Sequence, residues 1–124
     1  MFKVLYVISM SPRSAKAAAK KRERQRLLDE LAHLTKVIRG SFFERYSKCA
    51  QPTCACHQGE RHGPRGYVTV KQERRQRQYY IPQSQTEAVR HGIAQYHRLM
   101  EIVDRISSIN LELMQGGILN EPEP

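Results

Sequence analysis

Residues 48–64 read KCAQPTCACHQGERHGP and hold all three cysteines of the chain, together with His57 and His62. No other stretch restricts folding as strongly. Three thiols between Cys49 and Cys56 cannot all pair in disulfides, and Cys54 and Cys56 are too close to bridge each other comfortably. The odd count and tight spacing suit a metal ion in a reducing compartment instead. Zinc takes four tetrahedral ligands, thiolate or imidazole, and Cys49, Cys54 and Cys56 supply three. The fourth is His57 or His62. Ligands at 54, 56 and 57 would crowd one side of the ion, whereas Gly59 lets the chain turn back before His62, so spacing favours His62. Such a site leaves no position for water and is structural. A redox centre is the weaker alternative, because there is no Cys-x-x-Cys and no strand leading into one.

A staple is what this chain needs. It has 124 residues, room for one domain, with 40% apolar residues and no tryptophan. Its mean hydropathy is −0.65. A core built from this inventory is small.

Two helical stretches flank the cysteines. Ser11-Pro12 is a helix start and Gly40 a helix stop. Between them Leu27, Leu31, Leu34 and Ile38 recur at spacings of 4, 3 and 4, which predicts an amphipathic helix whose basic first half is poorly buried. Ser41-Phe42-Phe43-Glu44 has capping-box spacing and predicts a short helical turn. Tyr67–Lys71 and Arg77–Ile81 alternate as strands, with Pro82 ending the second, and predict a β-hairpin linked through QERRQ without a favoured turn pair. Ser84-Gln85-Thr86-Glu87 is a second capping box, opening a helix that runs to about Gln115. On it Leu99, Ile102, Ile106, Ile109 and Leu113 form a heptad seam, read as core or as an interface with a partner helix. The expected fold is α+β, mainly α: two long antiparallel helices flanking a zinc-stapled loop and a β-hairpin. Residues 1–11 form an N-terminal arm or short strand, 12–115 one domain, and 116–124 a disordered tail. The apolar run Val4–Met10 is too short to span a membrane, and the expected location is the cytoplasm.

Net charge is +9, and it is segregated. Residues 12–40 carry +6, residues 41–82 carry +5, and residues 83–124 carry −3. Lys16, Lys20, Lys21, Arg22, Arg24 and Arg26 line helix 1, and Lys71, Arg74, Arg75 and Arg77 line the hairpin. A positive field of this kind suits nucleic acid. The plainer reading is a basic helix paired with its acidic neighbour. Tyr79 and Tyr80 are able to stack on bases, or simply to fill strand positions. His33, His91 and His97 are scattered on helix faces and make no second metal site. No nucleophile–base set, carboxylate pair or glycine-rich phosphate loop can be assembled, so no enzyme and no small-molecule substrate is expected.

The run from Gly40 to Val70 resembles the signature of an uncharacterised family of small prokaryotic proteins. The matching positions are Gly40-Ser41, Glu44-Arg45-Tyr46, Cys49, Pro52, Cys54, Cys56, Gly59 and His62-Gly63-Pro64. Ile81-Pro82 and Asn110-Leu111-Glu112-Leu113 follow, and the similarity covers roughly residues 27 to 115. Where the family has an aromatic run after Gly-Pro, this chain has Arg65-Gly66-Tyr67, which leaves the start of the first strand open. The resemblance implies His62 as the fourth ligand and an association with mobile elements. It supplies no activity. The expected function is a small Zn2+ protein that binds nucleic acid through helix 1 and the hairpin, with a protein–protein adaptor built on the heptad helix as the alternative.

Overall fold

The computed structural model describes residues 12–47, 51, 53–55, 58–59 and 62–122, and for residues 12, 13, 47, 62 and 63 only the backbone. The arm expected at residues 1–11 lies outside them. The elements in order are α1 (Pro12–Leu31), β1 (Ser41–Ser47), β2 (His62–Gln72), β3 (Arg75–Ile81), a 3₁₀ turn (Gln83–Gln85) and α2 (Thr86–Gln115). The class is α+β, with more helix than strand. No described helix is long and apolar enough to cross a membrane. The chain forms two compact units. Residues up to Thr35 and from Arg98 onward make one, and Lys36–His97 make the other.

Helix 1 is shorter than its leucine spacing predicts. It ends at Leu31 rather than Gly40. The amides of His33 and Leu34 bond to the carbonyls of Glu30 and Leu31, a tightening to i−3 bonds that closes the last turn. The His33 ring adds a cap, with Nδ1 2.8 Å from the Asp29 carbonyl. A carbonyl only accepts, so Nδ1 donates. Beyond this point β-branched Thr35, Val37 and Ile38 favour extended backbone. In the second unit that backbone lies on α2: Ile38 N–H donates to the Gly92 carbonyl at 3.0 Å, and Lys36 N–H to Gln95 Oε1 at 2.9 Å. Gly92 makes this approach feasible, because a Cβ there would stand 2.5 Å from the Lys36 carbonyl oxygen. Gly40 is therefore no helix stop but a point of close contact with Val68 and Val70.

The predicted helical turn at Ser41–Glu44 is instead the start of β1, and the predicted hairpin is the outer part of a three-stranded antiparallel sheet ordered β1-β2-β3. Phe42, Phe43 and Tyr46 suit a pleated surface, and the pairing of Phe42 with Val68 and Phe43 with Tyr67 outweighs the local capping signal. The register shifts between Arg45 and Ser47, opposite Gly63-Pro64, where proline has no amide to donate. Gln72 pairs with Arg75 around a two-residue turn, Glu73-Arg74. Both turn residues have positive φ, 50° and 66°, the pattern of a type I′ turn made here without Asn or Gly.

In the first unit α1 and α2 run antiparallel, as the order of their contacts shows. Glu30 meets Arg98, Glu23 meets Arg105, and Lys20 meets Glu112. The two arginine pairs are bidentate, at 2.6 and 2.7 Å for Arg98 and 2.6 and 2.9 Å for Arg105. They repeat every seven residues on both helices, beside a buried line of Ile102, Ile109 and Leu113. Helix 2 ends in a Schellman motif. Ile118 N–H bonds to the Leu113 carbonyl and Gly117 N–H to that of Met114, and Gly117 takes φ +74°. Residues 116–122 thus begin as an ordered cap, and Glu121 reaches Lys21 at 3.4 Å.

Arg105 hydrogen-bonded to Glu23, and Arg98 hydrogen-bonded to Glu30, hold both carboxyls below the usual range, while both arginines are raised. A depressed carboxyl stabilises the fold above its unfolded pKa, about 4.3, and the contribution is lost as pH falls through the folded value. Melting followed by circular dichroism is therefore expected to drop steeply below about pH 4. A double Glu23→Gln, Glu30→Gln variant is expected to melt lower at pH 7 and to show a shallower acid limb. An unchanged acid limb would contradict this account of the pairs.

Candidate functional site

The cysteine loop joins β1 to β2. Ser47 and His62 are cross-strand partners, so the chain leaves the sheet and returns to it at one place. Within the loop Cys54 N–H bonds to the Gln51 carbonyl at 3.2 Å, and Gln58 N–H to the Ala55 carbonyl at 3.0 Å. These two turns fold the chain back on either side of Cys54, which is half-buried. Cys49, Cys56, His57 and the His62 side chain lie outside the described residues. Among the described residues no group of three His, Cys, Asp or Glu is positioned to hold a metal.

The sheet has two unlike faces. Residues directly opposite in an antiparallel pair share a face. One face holds Phe42, Glu44, Gly66, Val68 and Ile81. Val68 and Ile81 are buried, and Arg90 of α2 covers this face, its guanidinium 4.0 Å from the Phe42 ring and 3.3 Å from Glu44 Oε1. The opposite face carries Phe43, Tyr67 and Tyr80 at one level across all three strands. Phe43 and Tyr67 are stacked at 5.4 Å with 17° between planes, and Tyr80 stands edge-on to Tyr67 at 5.8 Å and 68°. Arg45 lies over the first two rings, 5.6 Å from the Phe43 centroid and 5.1 Å from that of Tyr67. Its only hydrogen bond among the described residues is a long one, 3.4 Å, to Gln78 Oε1. Arg65 and Lys71 share this face and are exposed. Its remaining positions are Ser41, Thr69, Gln76 and Gln78, none of them acidic.

The predicted basic residues are divided by this geometry. Lys20, Lys21 and Arg24 are turned to partners in their own unit: Glu112, Glu121 and Asn110, the last at 2.7 Å. Lys16, Arg22 and Arg26 are exposed. On the hairpin Lys71 shares the aromatic face, Arg75 and Arg77 point to the other side, and Arg74 sits in the turn. Tyr79 and Tyr80 also separate. Tyr79 is on the far side with its hydroxyl donating to Gln72 Oε1 at 2.9 Å, and Tyr80 is in the aromatic row. Of the seam, Ile102, Ile109 and Leu113 are buried within the chain, and Leu99 and Ile106 are half-buried. Phe43, Arg45, Arg65 and Tyr67 escape a sequence reading that treats Ser41–Glu44 as a helical turn. The alternation of Phe43 with Arg45 and of Arg65 with Tyr67 is the signal that would have found them.

A family model described as a domain of unknown function, DUF6788, matches residues 17–91, more than half of the chain. The chain belongs to the DUF6788 family. The matched span takes in most of α1, the cysteine loop, the whole sheet and the start of α2. No curated protein and no solved structure matches it.

Proposed function

We propose that this DUF6788 protein is a small zinc-stapled nucleic-acid-binding protein, an accessory of a mobile element. The observation that carries the reading is the exposed sheet face, on which Arg45, Arg65 and Lys71 stand with no carboxylate among them. A face of one sign on a chain of net charge +9 attracts a polyanion. The association with mobile elements rests on the resemblance of the cysteine signature alone. Exposed Lys16, Arg22 and Arg26 on α1 are a separate set of cations in the first unit, whereas Lys20, Lys21 and Arg24 serve the helix pair. Zinc held by Cys49, Cys54, Cys56 and His62 would close the loop between β1 and β2. The Ser47–His62 pairing is compatible with that ligand set, because it holds the two ends of the loop together.

Titration of labelled DNA and RNA at rising salt tests the reading. With three phosphates neutralised, duplex affinity is expected to fall about 40-fold between 50 and 200 mM salt. Absence of binding at the lower salt would sink it. A second reading, a protein–protein adaptor, is favoured by a different surface from the seam. Met100, Val103, Leu111 and Met114 are exposed along one side of α2, at helical spacing. A monomer in sedimentation, with no helix partner retained, would remove it.

A further inference from the structure

We propose that the row Phe43–Tyr67–Tyr80 is a stacking platform for single-stranded nucleic acid, with bases on the rings and phosphates at Arg45, Arg65 and Lys71. The proposal deepens the nucleic-acid reading above and rests on it.

Cross-strand aromatic pairing stabilises sheets by itself, and it accounts for Phe43 against Tyr67. Tyr80 stands edge-to-face with Tyr67, a favourable pairing in its own right, yet it remains 58% exposed and so has ring surface left for a partner. The buried side of the sheet is the other one, so the row is not part of the core formed by Val68 and Ile81. The Arg45 guanidinium lies over Phe43 and Tyr67 at cation–π distance, so the rings and a cation already meet on this face. A base is flat, and every base has a π-face, so the recognition is tolerant of sequence.

Spacing selects the strand. The rings follow one another at 5.4 and 5.8 Å. Bases in a B-form strand rise by only about 3.4 Å, and their faces are already covered by their neighbours. An extended single strand has free faces and wider intervals, and it fits the row. Charge also decides against the same face of a second copy. Two such faces brought together would set Arg45, Arg65 and Lys71 against their own kind. A polyanion neutralises them instead.

The test uses the full chain with its metal and fluorescein-labelled 12-nucleotide DNA and RNA strands, each compared with its duplex. Single strands are expected to bind at least tenfold more tightly than duplexes. Tyr80→Ala is expected to weaken single-strand binding about tenfold while leaving duplex binding and the salt slope unchanged, since stacking on one base is worth about that much. Tyr80→Phe keeps the ring and is expected to keep the affinity. The chain has no tryptophan, so Tyr80→Trp introduces a lone reporter whose emission is expected to be quenched by a single strand. That reading stands even where Tyr80→Ala fails to fold. Duplex binding equal to single-strand binding, or a bound strand that leaves the tryptophan unquenched, overturns the platform while the nucleic-acid reading survives. Failure of every oligonucleotide to bind at low salt removes both.

Discussion

Purified protein is expected to contain about one zinc per chain, and stripping it is expected to unfold the loop and loosen the sheet that anchors it. In zinc-finger peptides a structural site of three or four thiolates contributes about 10–16 kcal/mol of apparent binding free energy at neutral pH. The net stability of a whole small domain is about 5–15 kcal/mol, so the metal outweighs what remains. The described core of the second unit is thin. Val68 and Ile81 are its only buried large apolar side chains among the described residues. Metal analysis with and without chelator, beside Cys54→Ser, reads this directly. His57→Ala is expected to retain the metal and His62→Ala to lose it, because ligands at 54, 56 and 57 would crowd one side of the ion, whereas Gly59 lets the chain turn back before His62. A metal-free protein that melts where the purified one does would overturn the staple.

Gly92→Ala is expected to destabilise the protein by about 2 kcal/mol or more, against the usual sign for such a change. In an exposed helix interior, alanine for glycine gains about 1 kcal/mol. Here the added Cβ would stand 2.5 Å from the Lys36 carbonyl oxygen and 2.9 Å from the Ile38 side chain. The backbone cannot withdraw cheaply. Moving it breaks the bond from Ile38 N–H to the Gly92 carbonyl and strains that from Lys36 N–H to Gln95. Denaturant unfolding of the pair of proteins measures the difference. A variant as stable as the parent would show that the 36–38 segment gives way without cost.

What was legible in the sequence follows from how local each signal is. The last helix was readable because its seam and the glycines beyond it lie within one continuous pattern, and Gly117 takes the left-handed position that ends it. Strands β2 and β3 were readable from alternation, though short by several residues at one end. Helix 1 was overextended because Leu34 and Ile38 continue the spacing of Leu27 and Leu31 in a different conformation. Ile38 packs against Gly92, which is 54 positions away in the chain. No periodicity encodes such a contact. Strand β1 was hidden behind a capping-box match, and with it went Phe43, the first ring of the aromatic row. Lys20, Lys21 and Arg24 looked like a surface for a partner because their counterparts, Glu112, Glu121 and Asn110, come far later in the chain.

Among the described residues β1 and β3 are the edges of the three-stranded sheet, each a row of backbone amides and carbonyls with no strand of those residues beyond it. Such edges invite another chain to add itself. Arg75 and Arg77 lie along β3 and Pro82 closes it, so two copies meeting edge to edge would bring like charges together. These charges, on the side of the sheet away from Arg45, Arg65 and Lys71, would oppose growth into fibres. High salt, which screens them, is the condition under which this chain would be most prone to precipitate.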